Sequence, residues 1–433
     1  MKSEPSGPAI PGAATRAVEA SRPLGAMSAA FDWILPLVLV SGVVSFSREI
    51  LWTRLLTHLF GGSVYAFATM LATFLIRLAL GSAIAARLAA TPERAWLGFA
   101  VAQMAIAALS LAAFAAVDRL PALAEEFAAS GKGFLVSGVI LGGSTLLPGA
   151  VAMGATFPFT VRILARNAND AARASGRVFA WNTFGAIIGA LSAGYVVLPA
   201  LRFAGMAAAV GAISLALALI AALIGRPRRR LFALLAIAGL LVLAVVQPAM
   251  PEAVLRYSPL SSRQLAGEIV YYGVGRGATV LLLERATSWQ LLTNALPESA
   301  IETRWGRPSL YAVARWLSLL PIAARPKTRS LLVVGLGAGV TVQDIPASVE
   351  EIRVVEIEPE VVRANQRMAD RRYNDPLADP RLQIHLSDTR GALQLTNRRF
   401  DAIVSQPSHP WTSGAPHLFT REFFAQVQKH LTM

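Results

Sequence analysis

Three glycines at alternate positions, Gly335, Gly337 and Gly339, follow at once on an apolar run in SLLVVGLGAG. Glycines there let the backbone turn tightly after a strand and approach a ligand closely. Glu356 ends the next apolar run, IRVVEIE, roughly 20 residues on, where a carboxylate can accept both hydroxyl hydrogens of a ribose. A glycine triplet alone is equally well explained by a structural turn; strand, triplet, strand and acid in that order point to nucleoside binding. Asp388 closes a third run, LQIHLSD, at the same edge, to accept from an adenine amino group or simply to cap the next helix. A fourth run, FDAIVSQ, leads to Gln406 and then His409. Of these two, glutamine cannot act as a base. An imidazole can near neutral pH, but Pro407 and Pro410 let the two side chains point apart, and a surface-loop histidine is the competing reading. The catalytic residue is therefore left unassigned.

These residues require a frame. A helix over Tyr311–Leu320, the strand SLLVVG, the strand IRVVEIE, a helix over Pro359–Met368, the strand LQIHLSD, a short helix, the strand FDAIVSQ and a helix over Thr420–His430 alternate with short connections. That pattern means βαβ units and a parallel sheet, here a partial nucleoside-binding domain over 311–433. Residues 248–310 read as a connector, PAMPEAVLRYSPLSS, and a small β element. In the latter, EIVYYGVGRGATVLLLER supplies two strands around a glycine-rich turn and SWQLLTNAL a third.

The first half is of another kind. With 55% hydrophobic and 15% charged residues and a mean hydropathy of +0.52, the chain is neither a purely soluble enzyme nor disordered. Apolar runs at Trp33–Phe46, Tyr65–Ala85, Trp96–Val117, Phe134–Met153, Val178–Leu198, Phe203–Ile224 and Leu231–Val246 predict a transmembrane bundle of about seven helices over 31–247, after a disordered tail over 1–30. Residues 1–250 hold 19 of the 40 basic but only 9 of the 26 acidic side chains, so most of the net charge of +14 flanks apolar segments as a topology signal. The basic residues concentrate in the loops on the N-terminal side. This places the N-terminus in the cytoplasm of a multi-pass cell (inner) membrane protein, with the lipid bilayer as partner. Seven spans would put the C-terminal domain outside, whereas one miscounted span would return it to the cytoplasm. No basic stripe interleaved with aromatics suggests nucleic acid. The absence of cysteine excludes disulfides, zinc–thiolate sites and thiol nucleophiles, and no metal is expected.

Within the bundle, Gly185, Gly189 and Gly194 form a small-residue face suited to close helix packing or a homo-oligomeric contact. Pro148 and Pro158 predict a kinked or broken fourth span. Arg77 lies mid-span in FLIRLALGS and needs a partner, for which Glu49 is the candidate.

LLVVGLGAGVTV, VVEIEPEVV, LSDTRGAL and FDAIVSQPSHPWTSGAPHLFTREFF resemble the successive motifs of spermidine synthases, the polyamine aminopropyltransferases, over roughly 278–431. SGVVSFSREILWTRLL, FLIRLALGSAIAARLA, LPGAVAMGATFPFTVRILA and VFAWNTFGAIIGALSAGYVVLP resemble the membrane portion of fused spermidine synthase-like proteins, which usually carry glycine in place of Arg77. The resemblance implies an α/β class I methyltransferase-like (Rossmann-like) domain behind a small β element. It implies decarboxylated S-adenosylmethionine as co-substrate with no tightly bound cofactor, and putrescine or another small amine as acceptor. Gly335, Gly337 and Gly339 would line the donor's tail and ribose, Glu356 would hold the ribose hydroxyls, and Asp388 the adenine. Three departures stand out. Ala338 replaces an acid of the glycine loop, and Gln406 and His409 replace a general-base aspartate and a second aspartate. Only four sheet strands precede Met433, so an incomplete sheet is expected, in a fragment, a partner-completed domain or a degenerate one. Activity is therefore expected to be weak or absent. Two other readings stand beside this one: a membrane transporter or sensor with a nucleoside-binding regulatory domain, and a methyltransferase using S-adenosylmethionine itself.

Overall fold

The computed structural model describes residues 33–432 apart from 63, 131–133, 166, 226–228, 247, 303–311, 408, 411 and 413–414. The tail expected over residues 1–30 and the start of the helix expected at Tyr311 lie outside the described residues. Every apolar run of the first half is helical. α1 (Ile34–Phe60), α2 (Val64–Leu88) and α3 (Pro92–Ala115) are followed by the short α4 (Leu120–Ala129), then α5 (Phe134–Leu164), α6 (Ala171–Ser192), α7 (Leu198–Gly225) and α8 (Arg229–Val245). A helix satisfies its own backbone polar groups, which so long an apolar stretch cannot do otherwise. Among the described residues, four segments, Ile34–Phe60, Met70–Leu88, Pro92–Ala115 and Ala168–Gly225, are long and apolar enough to cross a membrane.

The helices approach most closely where side chains are absent. A Cβ on Gly185 or Gly189 of α6 would strike the carbonyls of Leu39 and Val43 on α1, and one on Gly42 would strike that of Asn182 in return. Gly81 of α2 and Gly154 of α5 interlock in the same way against Val151 and Leu78. Gly194 departs from the expected face: a Cβ built on it would meet no neighbouring element within 4 Å, and it sits in a π-helical turn, Ala193–Val197, between α6 and α7. The prolines also depart from expectation, since α5 runs unbroken past Pro148 and Pro158. A lost backbone donor is tolerated there because α2 and α3 clamp the helix on two sides, with Phe159 filling the space over Gly98. The backbone break falls instead at Arg202 (φ 56°), soon after Pro199. Nor do Arg77 and Glu49 pair. Arg77 is buried with its Nη1 lacking a hydrogen-bond partner, whereas Glu49 shares a narrow pocket with Arg48, Trp52 and Met153.

After α9 (Glu252–Arg256) and a two-stranded ribbon, β1 (Tyr257–Ser258) with β2 (Arg263–Gln264), the chain forms an antiparallel meander. Its strands are β3 (Glu268–Val274), β4 (Thr279–Glu284), β5 (Ser288–Thr293) and β6 (Leu296–Glu302). Strand β6 goes beyond the three expected. It is reached through Asn294 and Ala295, both at positive φ (51° and 65°), a two-residue turn that alanine does not signal in a sequence. The meander is buried on both faces. Leu281, Leu283 and Leu292 belong to the core of the bundle, while Val280, Leu282, Trp289 and Leu291 belong to the core of the domain that follows. Hence the unbroken apolar run of β4, where a half-exposed strand would alternate.

The last domain contains α10 (Ala312–Ala324), β7 (Ser330–Val334), β8 (Glu351–Glu356), α11 (Pro359–Arg367), β9 (Leu382–Leu386), α12 (Thr389–Leu395), β10 (Ala402–Ser405) and α13 (Arg421–Lys429). Its four strands are all parallel, in the order β10-β7-β8-β9, which is that of the first four strands of a doubly wound sheet. On the side of β10 away from β7, Phe400 bridges Leu431 in parallel.

Because α1 and α6 touch backbone to side-chain-free backbone, Gly185→Leu is expected to destabilise the detergent-solubilised full chain by at least about 1–3 kcal/mol through overpacking. Gly194→Leu, facing open space, is expected to stay within about 0.5 kcal/mol. Thermal unfolding of the two variants beside the parent checks both.

Candidate functional site

The glycine turn leaves β7 with Gly335, Gly337 and Gly339 at φ 85°, 52° and 73°, a region closed to most side chains. Gly335 meets nothing within 4 Å of a built Cβ and so leaves the space above the sheet open. Gly339 lies beneath the turn, where a Cβ would press on Asn365, Arg372 and Pro376. Three side chains staple the turn. Ser299 of β6 accepts from Ala338 N (2.8 Å), Asn365 of α11 donates to the Gly337 carbonyl (2.7 Å), and Glu356 accepts from Leu336 N (2.8 Å).

Glu356 ends β8 and is buried. Its second oxygen accepts from Glu358 N at 2.9 Å, so each carboxylate oxygen holds one backbone N–H. Burial pushes its pKa up, against the downward pull of those backbone bonds. Asp388 follows β9 and caps α12 by accepting from Gly391 N (2.9 Å), the structural role foreseen for it, while its residue also lines the cavity. Gln406 follows β10. His409 sits at φ 52°, and its Nε2 is 3.2 Å from the Pro297 carbonyl, which can only accept, so Nε2 carries the proton in that contact.

Gly335, Gly337, Glu356, Asp388, Gln406 and His409 converge on one cavity of about 1190 Å³; Gly339 supports it from below. Gln406 and His409, on either side of Pro407, thus border the same space. Ala338, at the position where the resemblance leads one to expect an acid, is buried within the turn, borders the cavity and brings no charge.

Two further residues organise the site. Glu358, nearly fully buried, accepts from Gly277 N (3.1 Å) and Ala278 N (3.0 Å) at the β3–β4 turn and from Glu360 N (3.2 Å) as the cap of α11. Arg54 of α1 donates to the carbonyls of Arg276 (2.9 Å) and Gly275 (3.0 Å) in the same turn. In the sequence Glu358 carries only the signal of an acid before Pro359 at a helix start, and Arg54 reads as one more charge at a span end. The helices also supply cavity wall, through Thr53, Arg54 and Thr57 of α1 and Phe67 and Met70 of α2.

Residues 311–433 match the family model of the spermine/spermidine synthase domain. A polyamine aminopropyltransferase from Synechococcus sp. is 36% identical over 106 residues, covering 24% of this chain and 34% of that protein. One from Hamiltonella defensa is 31% identical over 114 residues, covering 26% and 39%. The chain thus spans about a third of the length of the curated relatives it matches. A crystal structure of spermidine synthase in complex with the transition state analogue AdoDATO aligns with a TM-score of 0.33 at 19% identity, over 38% of this chain and 55% of that one. The spermidine synthase from Thermotoga maritima aligns with a TM-score of 0.32 at 19% identity, over 38% and 54%. The matched stretch is the one that carries the glycine turn, Glu356, Asp388 and the loop after β10, so the C-terminal part of the chain is similar to spermidine synthases.

Proposed function

We propose that the chain is a membrane-held transferase of the spermidine synthase type. A helical bundle lies in the bilayer and carries a domain that binds decarboxylated S-adenosylmethionine along the glycine turn and passes its aminopropyl group to an amine. The observation that carries this reading is the convergence of the glycine turn, Glu356, Asp388, Gln406 and His409 on one cavity. The match to the synthase domain favours it over a transporter or a methyltransferase.

Glu356 keeps lone pairs beyond its two backbone bonds, and these can take the ribose hydroxyls without unmaking the turn. The acceptor amine must arrive deprotonated and attack the methylene next to sulfur. Gln406 neither attracts an ammonium nor takes its proton, so putrescine is turned over weakly or not at all. The bilayer reading rests on the bundle's outer surface: Phe179, Phe184, Ile187 and Leu191 of α6, with Tyr195 and Val196 of the turn that follows it, are each more than half exposed. The antiparallel meander, on which the last domain packs, meets the bundle at the C-terminal end of α1, through Arg54, and at the start of α7, where Arg202 lies 5.2 Å from the centre of the Tyr272 ring. That is the end opposite the N-terminus of α1. With basic loops inside, the domain faces away from the cytoplasm, and the donor has to be supplied there.

Isothermal titration of the full chain in detergent is expected to show binding of decarboxylated S-adenosylmethionine, weakened at least about tenfold in Glu356→Gln by loss of charge-assisted hydrogen bonds. No binding by the parent would sink the proposal. Gln406→Asp restores a carboxylate and is expected to raise 5′-methylthioadenosine release with putrescine by at least about tenfold, as followed by chromatography. Since the chain has no cysteine, Lys327→Cys supplies a single label on the last domain; a membrane-impermeant maleimide is expected to modify it in intact cells, and protection until lysis would place the domain in the cytoplasm.

A further inference from the structure

Beside Glu356, Glu358 and Asp388, a further carboxylate borders the cavity, that of Glu298. Strand β6 pairs with β5 through Leu292 and Pro297 and then through Leu291 and Ser299, so Glu298 is the extra residue of a bulge. In a regular strand consecutive side chains face opposite ways, and Glu298 would turn away from the space that Ser299 lines. At the bulge both border it. The neighbours of Glu298 fix its place. Ser299 accepts from Ala338 N (2.8 Å) in the glycine turn, and the Pro297 carbonyl meets His409 Nε2 (3.2 Å) in the loop after β10. Glu298 therefore stands between the turn that follows β7 and the loop that follows β10, and these two strands are adjacent in the sheet.

The glycine turn itself has little to give an anion. Gly335 N donates to the Val355 carbonyl (2.9 Å), Leu336 N to Glu356 (2.8 Å), Ala338 N to Ser299 (2.8 Å) and Gly339 N to the Leu336 carbonyl (2.9 Å). Among the described residues, the arginines that border the cavity lie elsewhere: Arg54 is bound to the carbonyls of Gly275 and Arg276, and Arg390 follows Asp388 at the β9 end.

Resting on the reading of the chain as an aminopropyltransferase, we propose that Glu298 is an alkylammonium subsite and that its occupant is the ammonium at the free end of the donor's tail. Glu298 thereby selects decarboxylated S-adenosylmethionine over S-adenosylmethionine itself. With the ribose on Glu356 at the end of β8, the sulfonium and its tail lie over the glycine turn and point towards β10, where the bulge presents its carboxylate. A carboxylate has room for about four hydrogen bonds, so it can take an ammonium alongside other partners. The two donors share the adenosine and the sulfonium and differ at this end. The decarboxylated tail ends in an ammonium alone, which Glu298 attracts. The other tail carries a carboxylate on the same carbon as its ammonium, and this brings two like charges close together beside a turn whose N–H groups are largely engaged. Repulsion and unmet hydrogen bonds both count against it.

Isothermal titration of the full chain in detergent with each donor tests this. The parent is expected to bind decarboxylated S-adenosylmethionine at least about tenfold more tightly than S-adenosylmethionine. Glu298→Gln should bring the two within about threefold by weakening the first, while Glu298→Asp, which keeps the charge, retains most of the preference. Glu298→Ala gives the same reading should the glutamine variant not fold. Glu356→Gln acts on the shared ribose and should weaken both donors alike, leaving their ratio unchanged. A parent without preference overturns the assignment, and so does a Glu298→Gln chain that keeps the parent's ratio, even where both affinities have fallen together. Putrescine titrated into the chain saturated with 5′-methylthioadenosine covers the other source of an ammonium. If Glu298→Gln weakens that binding at least about tenfold and spares the donor ratio, the group held is the acceptor's and the assignment to the donor fails. Failure of both donors to bind the parent overturns the underlying reading instead.

Discussion

The turn between β3 and β4 is gripped from two sides by opposite charges, and the rest of the site is referenced to that grip. Arg54 reaches from the bundle to the carbonyls of Gly275 and Arg276, while Glu358 reaches from the parallel-sheet domain to the N–H groups of Gly277 and Ala278. The peptide groups of the turn are thereby polarised in one sense, with carbonyls towards the cation and N–H groups towards the anion. Glu358, buried, and Arg54, half-buried, each find backbone partners, as a charge withdrawn from water requires. There is no room for slack: a Cβ on Gly275 would collide with the Glu358 carboxylate. Packing follows the same logic, since β4 sends alternate side chains into the cores on its two sides.

From this junction the geometry of the cavity follows. Glu358 lies two residues beyond Glu356 and donates its own N–H to it, so the clamp on the hairpin and the staple on the glycine turn share one stretch of backbone. Ser299 joins from β6, the far strand of the same meander. Displacement of α1 would therefore act on the glycine turn through two routes, the Arg54 contact and the meander. Arg202 over Tyr272, with Tyr272 in turn stacked on Phe203 at 6.5 Å, ties the start of α7 to the same strand β3.

What could be read in the sequence is what is local. Apolar runs long enough for helices, strands at regular intervals, a glycine triplet after a strand and an acid at the end of the next are properties of short windows, and each lies where those windows put it. What escaped depends on contacts made across the fold. Arg54 and Glu358 acquire their roles from a turn more than 80 residues away from either in the chain, as the separations of 81 and 221 between bonded partners show. Arg77 invited a nearby acid as partner, yet which face of a helix meets which neighbour is set by glycines such as Gly81 and Gly154, not by charge. Pro148 and Pro158 sit in a helix held by its neighbours, and the break moved to Arg202, a residue with no breaking tendency of its own. The positive φ of Ala295 likewise has no signature in its side chain.

Glu356 shows how such a site can be prepared for a ligand. A carboxylate this deeply buried is drawn towards its neutral form, and two backbone N–H bonds hold it back without fully compensating. A ligand bearing two hydroxyl donors would supply what is missing. Its bonds favour the ionised form, so binding and ionisation reinforce one another, while the turn is already set by Ser299, Asn365 and Glu356 and needs little further ordering. Around Gln406, part of the wall comes instead from helices of the bundle and includes Phe67 and Met70. The side of the cavity at the glycine turn is thus organised by charge and hydrogen bonds, because the turn is held by side chains that reach it from β6, β8 and α11.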